Sequence, residues 1–238
     1  MSEVPLIRHE SLGSTQDEAH RLATEGAAHG TAVTARVQTG GRGTRGRPWV
    51  SGDGGLWLSV VCRPGPGAAP EVVGLRVGLA LAEYLDRFLF PPHRIVLKWP
   101  NDLFLGERKV GGVLAEARWQ GAVLGWMVIG VGINFQNDIP PDLGDTATRL
   151  FDAGVNADPA SLAEAVAAVV ADAARDASPL TQAEVAAFES RDWLRGRALS
   201  LPEPGIAEGI TAAGRLRVRD ELGVITEILS PVTLRRPV

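Results

Sequence analysis

Apolar residues recur along this chain with helical spacing in some segments and with strand spacing in others, and the two kinds of segment alternate. In the first helical segment, Thr15 is the expected N-cap residue and Glu18 its expected capping-box partner. A later segment begins with Asp158 followed by Pro159, an N-cap residue and a first-turn proline. The pattern predicts helices over 15–27, 71–89, 159–176 and 181–194, and strands over 32–37, 55–63 and 94–99.

Residues 103–135 consist of apolar runs separated by two turn-like breaks, at residues 106–107 and 120–121. We interpret these runs as successive hairpins of an antiparallel sheet. After Gly196 the pattern changes to short β-type runs separated by glycine and proline, which predicts a small β-barrel-like module. The predicted fold class is therefore α+β, with a mixed or antiparallel sheet and flanking helices, followed by a small all-β domain.

The composition, 45% hydrophobic and 22% charged in 238 residues, is that of an ordinary soluble globular protein. The formal net charge of −4 disfavours a general nucleic-acid binder, whose affinity depends on clustered Lys and Arg. The longest nearly uncharged apolar stretch, 121–135, is too short to cross a bilayer, and no signal-peptide pattern precedes it, so we expect a cytoplasmic protein with no membrane partner. The single cysteine, Cys62, excludes an internal disulfide, and the four histidines show no zinc-site spacing.

Local charge changes this picture between residues 26 and 52, which contain no carboxylate. Within 38–55, glycines permit close backbone approach, arginines can donate forked hydrogen bonds to an anion, and Trp49 offers a flat stacking surface. This composition favours an anionic, aromatic ligand such as a nucleotide; a disordered surface loop is the alternative. The glycines do not form a dinucleotide-binding fingerprint, because Pro48 and the residues after it cannot form the helix that this motif requires. They do not form a P-loop either, because Arg47-Pro48 stands where that motif has Lys-Ser/Thr.

Two further segments carry candidate chemistry. Residues 98–112 place two ammonium groups, an amide and a carboxylate around a predicted turn and hairpin, and solvated surface charges are the alternative. Residues 125–135 predict a buried strand that ends at Asn134, whose amide is suited to reading a nucleotide; core packing is the alternative. The four polar side chains of the first segment are Lys98, Asn101, Asp102 and Lys109.

Five motifs then occur in a fixed order: GSTQDEA at 13–19, QTGGRGTRGRPWVS at 38–51, KWPND at 98–102, RKVGG at 108–112 and GVGIN at 130–134. With these motifs, in this order and approximate spacing, the chain closely resembles the bacterial biotin protein ligases over nearly its whole length. The resemblance implies a class II synthetase-like catalytic domain over 1–192 and a small C-terminal SH3-like β-barrel over 193–238.

The resemblance also implies a two-step reaction. ATP activates the biotin carboxylate as biotinyl-5′-adenylate with loss of pyrophosphate, and a lysine of a biotin carboxyl carrier domain of an acyl-CoA carboxylase then attacks to form an amide. The expected ligands are biotin and ATP, with Mg²⁺ bound to the nucleotide. Because this reaction brings anions together, the site has to supply preorganised positive charge, and the resemblance gives that role to Lys109 and Arg42.

Further residues take their expected roles from the same resemblance. The biotin-binding residues would be Ser14, Thr15, Gln16, Gln38, Arg42, Gly43, Thr44, Lys109 and Gly112. The ATP-binding residues would be Arg45, Arg47, Trp49, Asp102, Lys109 and Asn134, and Asp102 would also take part in a Mg²⁺ network.

Two features depart from the family's pattern. Thr44 stands where the loop usually has an arginine, so either Arg45 takes over or the adenylate is held less tightly. The first motif begins at residue 13, which leaves no room for the N-terminal helix-turn-helix module of some relatives, and we expect no DNA binding. Both a monomer and a homodimer are compatible with the sequence.

Two alternative functions stay open at this point. A lipoate or octanoate ligase or transferase of the related class shares the catalytic fold, and a transferase of that class typically needs a cysteine nucleophile. Cys62 lies inside an apolar strand, so we expect it to be buried and unreactive. The second alternative is a non-catalytic adenylate-binding relative in which Thr44 marks the loss of activity.

Overall fold

The computed structural model describes residues 5–65, 69–229 and 233–234. Its helices are α1 (Thr15–Thr24), α2 (Pro70–Leu85), α3 (Pro159–Ala173) and α4 (Gln182–Glu189). Its strands are β1 (Leu6–Leu12), β2 (Ala32–Gln38), β3 (Leu56–Cys62), β4 (Ile95–Lys98), β5 (Asp102–Leu105), β6 (Arg108–Gln120), β7 (Val123–Ile133), β8 (Ala198–Leu201), β9 (Gly205–Ile210), β10 (Leu216–Arg219), β11 (Ile225–Ile228) and β12 (Thr233–Leu234).

Seven strands form one mixed sheet in the order β1-β2-β3-β7-β6-β5-β4. β1 and β2 are parallel, with α1 as the crossover between them, and the other neighbouring strands are antiparallel. The successive pairings β5-β6 and β6-β7 confirm the predicted hairpins, and β4 pairs with β5 beside them. The α+β class, with a large mixed sheet and flanking helices, is therefore confirmed.

Helices cover both faces of this sheet. On one face α2 and α3 bury a large core that includes Leu58 and Val60, and on the other face α1 packs its Ala19 against Val61. β3 is buried along its whole length because its alternate side chains enter the two cores. This packing holds β3 and its neighbour β7 against α1.

The last five strands form a second, antiparallel sheet in the order β11-β10-β9-β8-β12. Leu199, Leu216 and Val218 of this sheet belong to the same core as α2 and α3. The indole N–H of Trp99 donates to the carbonyl of Gly214 at 2.9 Å, which ties the sheet to the turn after β4. In the parts of the chain that the structure describes, none of the helices is long and apolar enough to cross a bilayer.

The start of α1 differs from its prediction. Ser14, not Thr15, is the N-cap residue, and its side chain makes no capping hydrogen bond. The Thr15 hydroxyl is engaged elsewhere, since it contacts Gln38 Oε1 at 3.0 Å and Ser59 Oγ at 2.9 Å. The predicted capping box is therefore wrong, and a tertiary network uses the hydroxyl instead.

Other differences concern the ends of elements. The sequence pattern does not predict β1, because this edge strand is exposed at most of its positions and lacks a period of two. α1 ends at Thr24, before Gly26, whose φ of 93° lies in the left-handed region. α2, α3 and α4 also end earlier than predicted, at Leu85, Ala173 and Glu189.

Candidate functional site

A cavity of about 650 Å³ opens where β6 begins and β7 ends, beside the start of α1. Its walls also include the Gly-rich loop, residues 39–55, and the segment 138–147. Every residue predicted to bind a ligand lines this cavity except Arg45. The lining residues from that prediction are Ser14, Thr15, Gln16, Gln38, Arg42, Gly43, Thr44, Arg47, Trp49, Asp102, Lys109, Gly112 and Asn134.

The Gly-rich loop folds back on itself. Its two arms meet at isolated bridges that pair Gln38 with Ser51 and Arg42 with Pro48. Gly41 is needed between them, because a Cβ there would lie 2.5 Å from both the Trp49 carbonyl oxygen and Ser51 Oγ. The backbone of this segment is thus held against the cavity, and it is not a loop without tertiary contacts.

At the tip of the loop, Thr44 and Arg45 point to different surroundings. Thr44 lines the cavity and accepts a long hydrogen bond of 3.4 Å from Arg47. Arg45 has a φ of 61°, is exposed and does not line the cavity. In this conformation Arg45 does not take the place of the arginine that the family's pattern has at position 44.

A polar network surrounds the start of α1. Gln38 Oε1 accepts from the backbone N–H of Thr15 at 2.8 Å, and Gln38 Nε2 donates to Ser51 Oγ at 2.8 Å. Ser59 Oγ donates to Gln16 Oε1 at 3.0 Å from the middle of buried β3. Sequence reasoning missed Ser59, although a single hydroxyl within the apolar run LWLSVVC is a signal. The network fixes the polar side chains at this end of the cavity.

Arg42 contacts carboxylates of the protein itself. Its guanidinium donates to Glu116 Oε1 at 2.9 Å and to Asp17 Oδ1 at 2.5 Å. The Glu116 carboxylate also lies 3.0 Å from His20 Nε2 and accepts from Gln16 Nε2 at 3.2 Å. The hydrogen bond from His20, with those from Arg42 and Gln16, overcomes the opposing effect of burial and lowers the pKa of Glu116 to about 2. Sequence reasoning missed Glu116, which lies on a strand remote from α1 in sequence.

At the other end of the cavity, Lys109 Nζ lies 2.5 Å from Asp102 Oδ1 and 4.9 Å from the centre of the Trp49 ring. The Trp49 indole covers Gly132, where a Cβ would lie 2.8 Å from Trp49 Nε1. Asn134 is buried; it donates to the Thr148 carbonyl at 3.2 Å and its Oδ1 accepts from Asn137. A cation, a carboxylate, an indole and an amide are therefore brought together within this part of the cavity.

Lys98 is a second cation of the cavity wall. Its ammonium lies 5.3 Å from the centre of the Phe104 ring and 5.2 Å from that of Trp193. Within the described part of the chain it has no hydrogen bond or ion pair, and burial lowers its pKa. The sequence contains two lysines, Lys98 and Lys109, and both line this cavity.

Cys62 is fully buried in β3, and burial raises the pKa of its thiol to about 12, which agrees with the predicted unreactive role. Within the described residues, no group of three or more His, Cys, Asp or Glu side chains is arranged to hold a metal ion. The chemistry of the cavity comes from its cations, among them Lys98 and Lys109, and from its hydrogen-bond donors. Asp102 is the carboxylate that contacts Lys109.

Residues 10–134 match the Biotin/lipoate A/B protein ligase family, and the match covers more than half of the chain. The chain belongs to this family. Among curated relatives of this family member, the bifunctional ligase/repressor BirA of Bacillus subtilis is 37% identical over 153 residues, which are 62% of this chain and 46% of that protein. The biotin–[acetyl-CoA-carboxylase] ligase of Mycobacterium tuberculosis is 35% identical over 150 residues, 61% of this chain and 54% of that protein. The chain thus spans about half the length of the curated relatives it matches.

Solved structures of the biotin/lipoate ligase family extend the likeness to the C-terminal sheet. The biotin protein ligase from Aquifex aeolicus in complex with biotin and ATP is 31% identical, with a TM-score of 0.80, and the match covers 98% of this chain and 99% of that chain. The biotin protein ligase from Leishmania major in complex with biotinyl-5-AMP is 26% identical, with a TM-score of 0.62 and coverages of 95% and 99%. The family resemblance inferred from the motifs is confirmed.

Proposed function

We propose that this chain is an ATP-dependent biotin–protein ligase, which forms biotinyl-5′-adenylate and transfers biotin to a lysine of a biotin carboxyl carrier domain. The observation that carries the proposal is the convergence of the motif side chains on one cavity in a fold like that of the Aquifex aeolicus enzyme solved with biotin and ATP. An acyl-CoA carboxylase is the proposed source of the carrier, in agreement with the name of the Mycobacterium tuberculosis relative.

Biotin is assigned to the end of the cavity next to α1. The side chains of Thr15, Gln16 and Gln38 form a hydrogen-bonded network there, and such a network suits the polar ring system of biotin. Ser14, Gly43 and Gly112 line the same space, and Gly112 leaves room next to Lys109 because it has no side chain. The biotin carboxylate would then point towards Lys109.

ATP is assigned to the end that contains Lys109, Arg47, Trp49 and Asn134. In the first step a carboxylate oxygen of biotin attacks the α-phosphorus of ATP, a new P–O bond forms, and the bond to the pyrophosphate leaving group breaks. No covalent bond to the protein is needed, so the protein's contribution is orientation and positive charge. Lys109, already 2.5 Å from Asp102, is the group we assign to the developing charge on the α-phosphate.

Magnesium would enter with the nucleotide. Mg²⁺ usually keeps several waters and takes one or two protein carboxylates together with substrate phosphates, and Asp102 fits such a ligand. Its side chain is 22% exposed in the cavity wall and contacts only one cation, Lys109, among the described ion pairs. Bound magnesium would reduce the charge repulsion between the two anionic substrates.

In the second step, the free amine of the carrier lysine attacks the acyl carbon of biotinyl-adenylate. An amide bond forms, the bond from the acyl carbon to the phosphate oxygen breaks, AMP leaves, and the amine nitrogen gives up one proton to the solvent. The test of this step is a carrier domain incubated with the enzyme, ATP and labelled biotin. We expect ATP-dependent labelling of the carrier at a single lysine, and unlabelled carrier would contradict the proposal.

For the C-terminal region, we propose an SH3-like module over 193–238, with the catalytic domain over 1–192. The antiparallel order of β8 to β12 supports this assignment. Trp193 lies at the proposed boundary and packs against Phe104 with ring centres 4.8 Å apart. The first residue of the module is therefore also in contact with the ammonium of Lys98. A homodimer is the assembly we propose, and no DNA or membrane partner is assigned.

The alternative lipoate or octanoate transferase is disfavoured by chemistry. Its cysteine nucleophile would have to be accessible, whereas Cys62 is 0% exposed and its pKa is raised to about 12. The non-catalytic alternative is disfavoured by Lys109, Arg42 and Arg47, whose charged side chains all line the cavity.

We expect Thr44→Arg to slow dissociation of biotinyl-adenylate by about ten-fold. The threonine faces the cavity and offers no guanidinium to the phosphate, while Arg47 donates to the Thr44 hydroxyl at 3.4 Å. Chase experiments with unlabelled biotin and ATP measure the off-rate for the two proteins. Equal off-rates would show that position 44 does not control retention.

We expect Lys98→Met to raise KM for ATP by about ten-fold and to leave KM for biotin unchanged, because Lys98 is a cation at the nucleotide end that makes no ion pair within the described residues. Lys98→Arg is the charge-keeping control. Since burial lowers the pKa of Lys98, its charge is lost at a lower pH than for a free lysine. KM for ATP in the wild type should therefore rise as the pH becomes alkaline, and Lys98→Met should lack that dependence; an unchanged KM would exclude a role in binding ATP.

A further inference from the structure

Glu116 lies behind the cavity wall, between α1 and the Gly-rich loop, and does not line the cavity. Its carboxylate is 23% exposed and is surrounded by donors. Arg42 donates at 2.9 Å and Gln16 Nε2 at 3.2 Å, and His20 Nε2 lies 3.0 Å away. Two of these three partners, Arg42 and Gln16, are residues that we assign to the substrates.

The orientation of His20 follows from its other nitrogen. The indole N–H of Trp126 lies 3.1 Å from His20 Nδ1. Because an indole nitrogen can only donate, Nδ1 has to accept, and the imidazole proton is on Nε2. His20 therefore donates to Glu116, and among the partners of this carboxylate Arg42 is the one that carries a permanent positive charge.

Gln16 is also fixed by this contact. Its Nε2 donates to Glu116 and to the Val128 carbonyl at 3.1 Å, and its Oε1 accepts from Ser59. Both polar atoms of the Gln16 amide are thus hydrogen-bonded, so the nitrogen faces Glu116 and Val128 and the oxygen faces Ser59. Gly130 provides the space, since a Cβ there would lie 2.6 Å from Gln16 Oε1.

We propose that Glu116 is a positioning residue that couples the Gly-rich loop to the biotin end of the cavity, by holding Arg42 and Gln16 with one carboxylate. The assignment of biotin to one end of the cavity rests on the proposed function. The contacts of Glu116 with Arg42 and Gln16 do not depend on that assignment. Without Glu116, the ion pair that Arg42 retains among the described residues is the one with Asp17, whose side chain is 65% exposed and exchanges readily with water. The Arg42 side chain would then lose its less exposed partner.

Glu116→Gln is expected to raise KM for biotin by roughly ten-fold or more, the effect of losing a hydrogen bond to a charged group. In an Arg42→Gln background the same substitution should change KM less than about three-fold, because the charged contact that it weakens is the one with Arg42, while the new amide oxygen can still accept from Gln16. Glu116→Asp, which keeps the charge, should recover part of the loss. Glu18→Gln is the matched control on α1, since Glu18 pairs with Arg21 away from the cavity, and it should leave KM unchanged. Equal effects of Glu116→Gln in both backgrounds would overturn the proposal.

A second readout does not need activity. Trypsin can cleave after Arg45, which is exposed at the tip of the Gly-rich loop. We expect Glu116→Gln to accelerate this cleavage several-fold in ligand-free protein, measured well below the unfolding temperature of each variant, and Glu18→Gln to leave it unchanged. If the wild type released no pyrophosphate but cleavage still accelerated, the proposed function would fail while the coupling stood. Cleavage at the wild-type rate would overturn the coupling, and if Glu116→Gln does not fold, Glu116→Asp, whose shorter side chain weakens the contact with Arg42, provides the comparison.

Discussion

Lys109→Ala is expected to lower the rate of biotinyl-adenylate formation by about 10²- to 10³-fold, the usual effect of removing one preorganised donor from developing charge. The Lys109 ammonium is held between Asp102 Oδ1 at 2.5 Å and the Trp49 ring at 4.9 Å, so its position is set before the substrates bind. The alanine variant also leaves Asp102 as an unpaired carboxylate close to the expected site of the ATP phosphates. Single-turnover formation of adenylate measures the rate.

Lys109→Arg separates these two effects. It keeps a positive charge beside Asp102 and leaves the proposed Mg²⁺ ligand in place, so the affinity for ATP should stay near that of the wild type, whereas the rate of adenylate formation should stay low because a guanidinium does not reproduce the position of the ammonium. Thermal unfolding should show that both variants fold, because Lys109 is partly exposed and its strand pairings use the backbone. A Lys109→Ala rate within ten-fold of the wild-type rate would show that another group stabilises the charge.

Gly132→Val is expected to lower kcat/KM for ATP by about 10²-fold, as misplacement of a positioned group by about 1 Å typically does. A Cβ at position 132 would lie 2.8 to 3.2 Å from three atoms of the Trp49 indole, so the indole has to move away. Lys109 then loses the ring that lies 4.9 Å from its ammonium. Valine suits a strand, and we expect the sheet itself to tolerate the substitution.

The matched control for this glycine is Gly78→Ala in α2. Its Cβ would lie 3.9 Å from Leu97 Cδ2, an ordinary contact. Activity should be unchanged, and the free energy of unfolding should rise by about 0.5–1 kcal/mol from the better helix propensity of alanine. If Gly132→Val kept the wild-type KM for ATP, the position of Trp49 would not matter for nucleotide binding.

The sequence predicted the parts of the site whose chemistry is local. Arginines and glycines within a few residues of Trp49 indicate an anion site whatever the fold around them, and the motif residues do line one cavity. The hairpins between β5 and β7 were also predictable, because turn residues separate their apolar runs. These signals depend only on neighbours in the chain.

The missed residues act through partners that are distant in sequence. Glu116 is 100 residues from Gln16, its hydrogen-bond partner, and Ser59 is 43 residues from the same side chain. No local pattern indicates which strands will bring such groups together. The same cause explains the wrong N-cap at Thr15. Its hydroxyl suits a local cap, but it hydrogen-bonds to Gln38 and Ser59, which are distant in sequence.

The central claim is tested most directly by pyrophosphate release from the purified protein with ATP and magnesium, with biotin, lipoate and octanoate supplied in turn and a carrier domain added afterwards. The proposed function predicts release with biotin only, followed by labelling of the carrier. Release with lipoate or octanoate but not with biotin would assign the chain to the lipoate branch of its family. Release with none of the three acids would contradict a catalytic role.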